Sequence, residues 1–119
     1  MSERVWQLYL DDMIVFCERV LSYTEGYEQT QFENTGLTYD ATVRNIELIG
    51  EAATHIPDSI RARAPYIMWR QVIAARNRLI HGYSGIDNDT LWSMIQDDVP
   101  VLLDDLQRFK QSFCITIRS

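Results

Sequence analysis

The sequence predicts an all-α protein, most simply an antiparallel bundle of four main helices plus short helical turns. Three observations carry that expectation. Apolar residues recur at three- and four-residue steps along most of the chain, the period of a helix with one buried face. No stretch alternates with period two for long enough to make a strand; the tail CITIRS is the one β-like piece and is too short to pair alone. Pro57, Pro65 and Gly82 fall where the periodic runs stop. At 119 residues the chain is expected to be a single domain spanning 1–119, small enough that dimerising would add stability.

Each element has its own signature. From about Glu3 to Tyr23, the residues Trp6, Leu10, Met13, Phe16, Val20 and Tyr23 form an apolar stripe, with Asp11, Asp12, Glu18 and Arg19 mainly on the other face. The polar stretch GYEQTQFENTGLT then reads as a loop with one short helical turn. A second helix is expected from about Tyr39 to His55, with Thr38 as N-cap and Val43, Ile46, Ile49, Ala53 and Ile56 inward. PDSIRARAP is a short helix at most, with Pro57 at a favoured first-turn position. The third helix runs from about Met68 to His81, with Trp69, Val72, Ile73, Leu79 and Ile80 as core candidates and Gly82 ending it. The last begins near Asp87–Asp89, both good caps, and carries Leu91, Ile95, Leu102, Leu106, Phe109 and Phe113; Pro100 inside that pattern predicts a kink or break.

Composition narrows the function. No apolar run is long enough to span a bilayer, and the N-terminus lacks a charged-then-apolar signal layout, so a cytoplasmic location is the default expectation. Cys17 and Cys114 read as buried or half-buried free thiols of such a compartment. His55 and His81 have no ligand-like spacing, so neither metal nor cofactor is expected. The net charge of −6 argues against general binding to a nucleic-acid backbone. Yet Ser59 to Ile86 contains no Asp or Glu and holds Arg61, Arg63, Arg70, Arg76 and Arg78. Such a block suits phosphate contacts through the rigid guanidinium fork; equally, it can pair with acidic helices of this or a partner chain.

Within that block, RNRLIHGY gathers Arg76, Asn77, His81 and Tyr83 where a helix meets a turn. On a continuous helix Asn77 and His81 share a face, and Arg76 lies about 100° away. Histidine exchanges protons near neutrality, and a fixed cation beside it stabilises charge building on a phosphate. Asn77 can orient either partner. That set suits metal-independent RNA cleavage, with the substrate's own 2′-hydroxyl as nucleophile. A histidine near a helix end also serves simply to bind the last carbonyls, a role that His55 fits at its own helix end, and Tyr83 reads equally as a half-buried core aromatic.

The wider residues resemble a known family. RNRLIHGY fits the Arg-x4-His-x-Tyr signature of the HepT-like branch of the HEPN (higher eukaryotes and prokaryotes nucleotide-binding) superfamily. RNIELIGEAA, PYIMWRQVIAARNRLIHGY and GIDNDTLWSMIQDDVPVL resemble its second, third and fourth blocks, over roughly residues 38–107. The resemblance implies a HEPN-like helical fold and the toxin of a toxin–antitoxin pair: a metal-independent endoribonuclease acting as a homodimer with the motifs facing each other across a shared cleft. Arg76 and His81 would be catalytic and Asn77 supporting. The implied partner is an MntA-like minimal nucleotidyltransferase antitoxin that transfers AMP from ATP to Tyr83, blocking the cleft and repelling RNA. Arg44, Glu47, Glu51 and Arg78 are cleft-lining or structural on this view, and the four-residue spacing of the two glutamates puts them on one face. The alternative is a non-catalytic helical module that binds a nucleotidyltransferase and supports its nucleotide or substrate binding.

Overall fold

The computed structural model describes residues 3–80 and 85–118, with side chains in 5–80 and 85–113. The described residues are helical throughout apart from turns, connecting segments and one isolated antiparallel bridge, Ile80 to Ile86.

The longest helix, α1 (Glu3–Thr24), buries Trp6, Leu10, Met13 and Val20 of the stripe that the spacing predicts, and Cys17 beside it. Phe16 is only half-buried and Tyr23 is exposed, because Ile14 and Cys17 take the neighbouring inward positions. The polar stretch after it holds one short helix, α2 (Gln29–Glu33), whose Phe32 plugs the core. Next comes α3 (Gly36–Thr54), which begins three residues before the expected Tyr39. Thr35, not Thr38, flanks its start, and the Tyr39 N–H donates to the Thr35 carbonyl at 2.8 Å. Gly36 reads as a breaker in sequence, yet here it opens the helix.

α1 runs antiparallel to both of its long neighbours. Tyr9, near its start, stacks on His55 at the end of α3, with ring centroids 4.4 Å apart. Trp6 meets Phe109 and Phe113 well along the last helix, α8 (Val99–Arg118), and Asp11 pairs with Lys110 at 2.8 Å. After the short α4 (Asp58–Arg61), Arg63 lies over the Phe113 ring and Arg108 over the Tyr66 ring, at 4.3 and 3.9 Å. These cation–π contacts fasten the connecting segment to α8.

The expected third helix is divided. α5 (Trp69–Ile73) and α6 (Ala75–Leu79) meet at Ala74, whose ψ of 4° falls outside the helical run. The expected last helix is α7 (Asn88–Ser93), a π-helical turn (Met94–Asp98) and α8 in series. Pro100 neither breaks nor ends it. A proline has no N–H and its ring clashes with the carbonyl four residues back; the wider π turn just before it takes up the misfit. There the Val99 N–H reaches back five residues to the Met94 carbonyl. Asp87 caps α7 by accepting from the Thr90 N–H at 3.1 Å and the Thr90 hydroxyl at 2.8 Å, as its sequence suggests. The CITI stretch continues α8 as helix. No helix among the described residues is long and apolar enough to cross a membrane.

Candidate active site

The site is framed by α3. At Gly50 a side-chain Cβ would sit 2.9 Å from the Val72 carbonyl oxygen and 3.4 Å from that of Ile73. The missing side chain thus lets the end of α5 lie directly on α3. Immediately beyond, α6 carries Arg76, Asn77 and Arg78, all exposed.

Two ion pairs hold α6 from different sides. Residues two apart on a helix lie about 200° apart around its axis. Accordingly, the Arg76 Nε lies 3.6 Å from Glu47 Oε2 on α3, and Arg78 Nη2 lies 3.5 Å from Asp98 Oδ2 in the π turn. Arg76 itself stays 68% exposed at the side chain. Asn77, between them in sequence, faces solvent.

The helix stops sooner than its sequence suggests. Ile80, not Gly82, is the C-cap, with extended φ −96° and ψ 124°. It bridges to Ile86, and the Leu79 carbonyl accepts the Asp87 N–H at 2.7 Å. Leu79 is the last helical residue, so no N–H of its own helix claims that carbonyl. The bridge and this hydrogen bond staple residues 79–80 to residues 86–87, and Gly85 beside them has φ +91°. The helical register ends at Leu79, and the expectation that Asn77 and His81 share a helical face falls partly on residues outside those described. Ile80, expected in the core, is 43% exposed. His81, Gly82 and Tyr83 lie outside the described residues.

The remaining candidates separate. Glu47 meets Arg76, whereas Glu51 pairs with His55 at 3.5 Å, away from the arginine block. His55 thus serves its own helix end through Glu51 and Tyr9. Arg44 is exposed one turn before Glu47. Of the arginine block, Arg61 pairs with Asp58, so three of the five arginines meet carboxylates within the chain. Arg61 and Asp58 share the short α4, so the reading of the block as pairing with acidic helices elsewhere in the fold holds for Arg76 and Arg78.

Beside α6 lies an apolar groove of about 200 Å³. Ile46, Ile49, Val72 and Leu102 line it, together with Arg78 and the carboxylates Asp97, Asp98 and Asp105. Met68 and Val101, also in its lining, are 58% and 61% exposed. Sequence reading missed Asp98 and the stapling role of Asp87, since both act on α6 across a turn. The only local signal was the DNDT run, which marks a cap. Two bonds tie α2 and α3 to α7: the Gln29 amide of α2 donates to Asp89 at 2.7 Å, and the Tyr39 hydroxyl of α3 donates to Asn88. Burial, with Glu33 and Asp40 nearby, pushes the Tyr39 phenol above its usual range. Among the described residues, no three His, Cys, Asp or Glu side chains gather as a metal-ligand set.

Comparison with known proteins gives the site its context. The family model described as "Ribonuclease HepT-like" matches residues 13–109. The chain is 32% identical over 107 residues to "Putative RNase MJ1380" of Methanocaldococcus jannaschii, covering 90% of this chain and 98% of that protein. It is 31% identical over 103 residues to "Probable ribonuclease HepT" of Thermococcus cleftensis, covering 87% and 94%. A bacterial relative, "Putative RNase TTE0752" of Caldanaerobacter subterraneus subsp. tengcongensis, is 27% identical over 103 residues, covering 87% and 92%. No solved structure matches. The chain belongs to the ribonuclease HepT-like family, and its enzymatic class is that of an endoribonuclease.

Proposed function

We propose that this protein is the toxin of a toxin–antitoxin pair and cleaves RNA without a metal ion. The observation that carries the reading is the exposed Arg76 guanidinium, paired with Glu47, on the short helix just before the staple of residues 79–80 to 86–87, which brackets the rest of the motif in sequence. In the proposed reaction the substrate 2′-oxygen attacks the adjacent phosphorus. The bond to the 5′-oxygen breaks, leaving a 2′,3′-cyclic phosphate and a free 5′-hydroxyl. Arg76 balances the charge that builds on the phosphate oxygens, and His81 handles the proton taken from the 2′-hydroxyl or given to the leaving oxygen. Asn77 orients the phosphate or the imidazole.

The active unit is a homodimer with the two motifs on one cleft. We assign the second copy to the apolar groove beside α6. Its exposed apolar residues Met68 and Val101 invite cover, and its carboxylates Asp97 and Asp105 complement the exposed arginines Arg44 and Arg70 of a second copy. The antitoxin is an MntA-like nucleotidyltransferase that joins AMP from ATP to the Tyr83 oxygen, with pyrophosphate leaving. The added phosphate repels RNA by like charge.

Purified protein should cleave RNA in EDTA to 2′,3′-cyclic phosphate ends, and His81→Ala should reduce cleavage by at least roughly a hundredfold. Full cleavage by His81→Ala rejects the assignment. With the neighbouring nucleotidyltransferase and ATP, the Tyr83 peptide should gain AMP mass. Tyr83→Phe should go on cleaving RNA while escaping neutralisation; a Tyr83→Phe protein still modified and inhibited puts the acceptor elsewhere.

A further inference from the structure

We propose that Glu47 is a positioning residue for Arg76: its carboxylate holds the Nε edge of the guanidinium, so that the remaining N–H groups face outward to an RNA phosphate. The inference rests on the reading of Arg76 as a cleavage residue and deepens it.

Three observations carry it. The Glu47 carboxylate lies 3.6 Å from Arg76 Nε, so the contact is to the inner edge of the fork. Glu47 is 31% exposed and Arg76 68%, so the acid sits in the frame while the arginine reaches out from it. The acid belongs to α3, a helix of 19 residues, whereas Arg76 sits on a helix of five that begins at the Ala74 break and ends at the staple. The long helix is the firmer support, and Gly50, one turn beyond Glu47, sets the close approach of α5, the helix that leads into α6.

An ion pair this exposed adds little to stability. Its effect belongs instead to orientation. A free arginine side chain samples many rotamers, and a guanidinium preset toward the phosphate loses less freedom at the transition state. Electrostatics alone predicts the reverse trend. Removing a carboxylate from beside an RNA phosphate should strengthen RNA binding, and should do so equally whichever neutral residue replaces it.

The test compares Glu47→Gln with Glu47→Ala. Both remove the same charge, but the glutamine keeps a side-chain oxygen that can close the 3.6 Å gap and accept from the Arg76 Nε–H. With a short single-stranded RNA oligonucleotide as substrate, Glu47→Ala should lose roughly tenfold in kcat with KM unchanged or lowered. Glu47→Gln should recover most of that loss. In an Arg76→Lys background, where no Nε edge exists, Glu47→Ala should cause no further fall. Circular dichroism and thermal melting of each variant separate misfolding from misplacement, and Glu47→Gln keeps the test open should Glu47→Ala fail to fold. Equal kcat for wild type, Glu47→Gln and Glu47→Ala, with cleavage lost in Arg76→Ala, overturns the Glu47 assignment alone. So does a loss of equal size in both Glu47 variants. Wild-type protein that leaves the RNA intact, or Arg76→Ala that cleaves it as wild type does, overturns this inference together with the functional reading.

Discussion

Single side chains here do their work through what surrounds them, and Cys17 shows how far. It is fully buried on α1, and burial, with Glu18 adding, pushes its thiol from 9.0 up to about 12. Between those values the unfolded chain releases a proton that the folded protein keeps. The stability linked to Cys17 is therefore fully present below about pH 9 and is lost as pH rises toward 12. Urea unfolding should lose roughly 1.4 kcal/mol more between about pH 8 and about pH 10 in wild type than in Cys17→Ala. Equal pH slopes in the two proteins would show that the thiol ionises as easily folded as unfolded. The sequence marks Cys17 as a free thiol, and its helical spacing places it next to the inward stripe. It does not announce full burial, which depends on α3 and α8 closing over that face. The same holds for Arg76 and Glu47, which are 29 positions apart in the chain yet form one ion pair.

At the scale of elements, the site depends on how α5 and α6 are set against α3. Gly50 is the point of closest approach, since an added Cβ would stand 2.9 Å from a backbone oxygen that has no flexible end to yield. Gly50→Ala removes a poor helix former, which alone favours α3 by up to about 1 kcal/mol. Overpacking against a backbone carbonyl costs about 1–3 kcal/mol and should prevail. The variant should thus unfold at lower urea by a net ~1 kcal/mol or more. It should also cleave RNA more weakly than its folded fraction explains, because α6 moves with α5 and takes Arg76 off its Glu47 brace. A variant as stable as wild type would mean that the two helices separate without cost. Periodicity reveals α1, α3 and the last helical run within a few residues, since each buries a long apolar stripe. It fails at Ala74 and Leu79, where helical-looking residues are ended by contacts made elsewhere. The ψ break abuts the α3 contact, and the helix stops because Asp87 takes the Leu79 carbonyl. At Pro100 the sequence marks a kink or a break; the helical run does not break, and a π turn stands just before the proline.

For the whole molecule, the proposed homodimer makes the groove beside α6 the link from fold to assembly. Val101 lines it and is 61% exposed, so the single chain gains little by having valine there. An aspartate at that position should change monomer stability by no more than about 0.5 kcal/mol, as surface substitutions do. Inside a dimer interface the same carboxylate, near Asp97, Asp98 and Asp105, would be desolvated among like charges. That costs several kcal/mol of association. Val101→Asp should therefore melt like wild type in dilute solution yet elute with the mass of one chain, where wild type elutes with the mass of two. If the two motifs share a cleft, cleavage should fall with the dimer and recover partly at high protein concentration, as mass action restores association. A Val101→Asp protein that stays dimeric moves the interface to another face. A monomeric variant that cleaves RNA at the wild-type rate leaves the groove as the interface and makes each chain's Arg76 sufficient by itself.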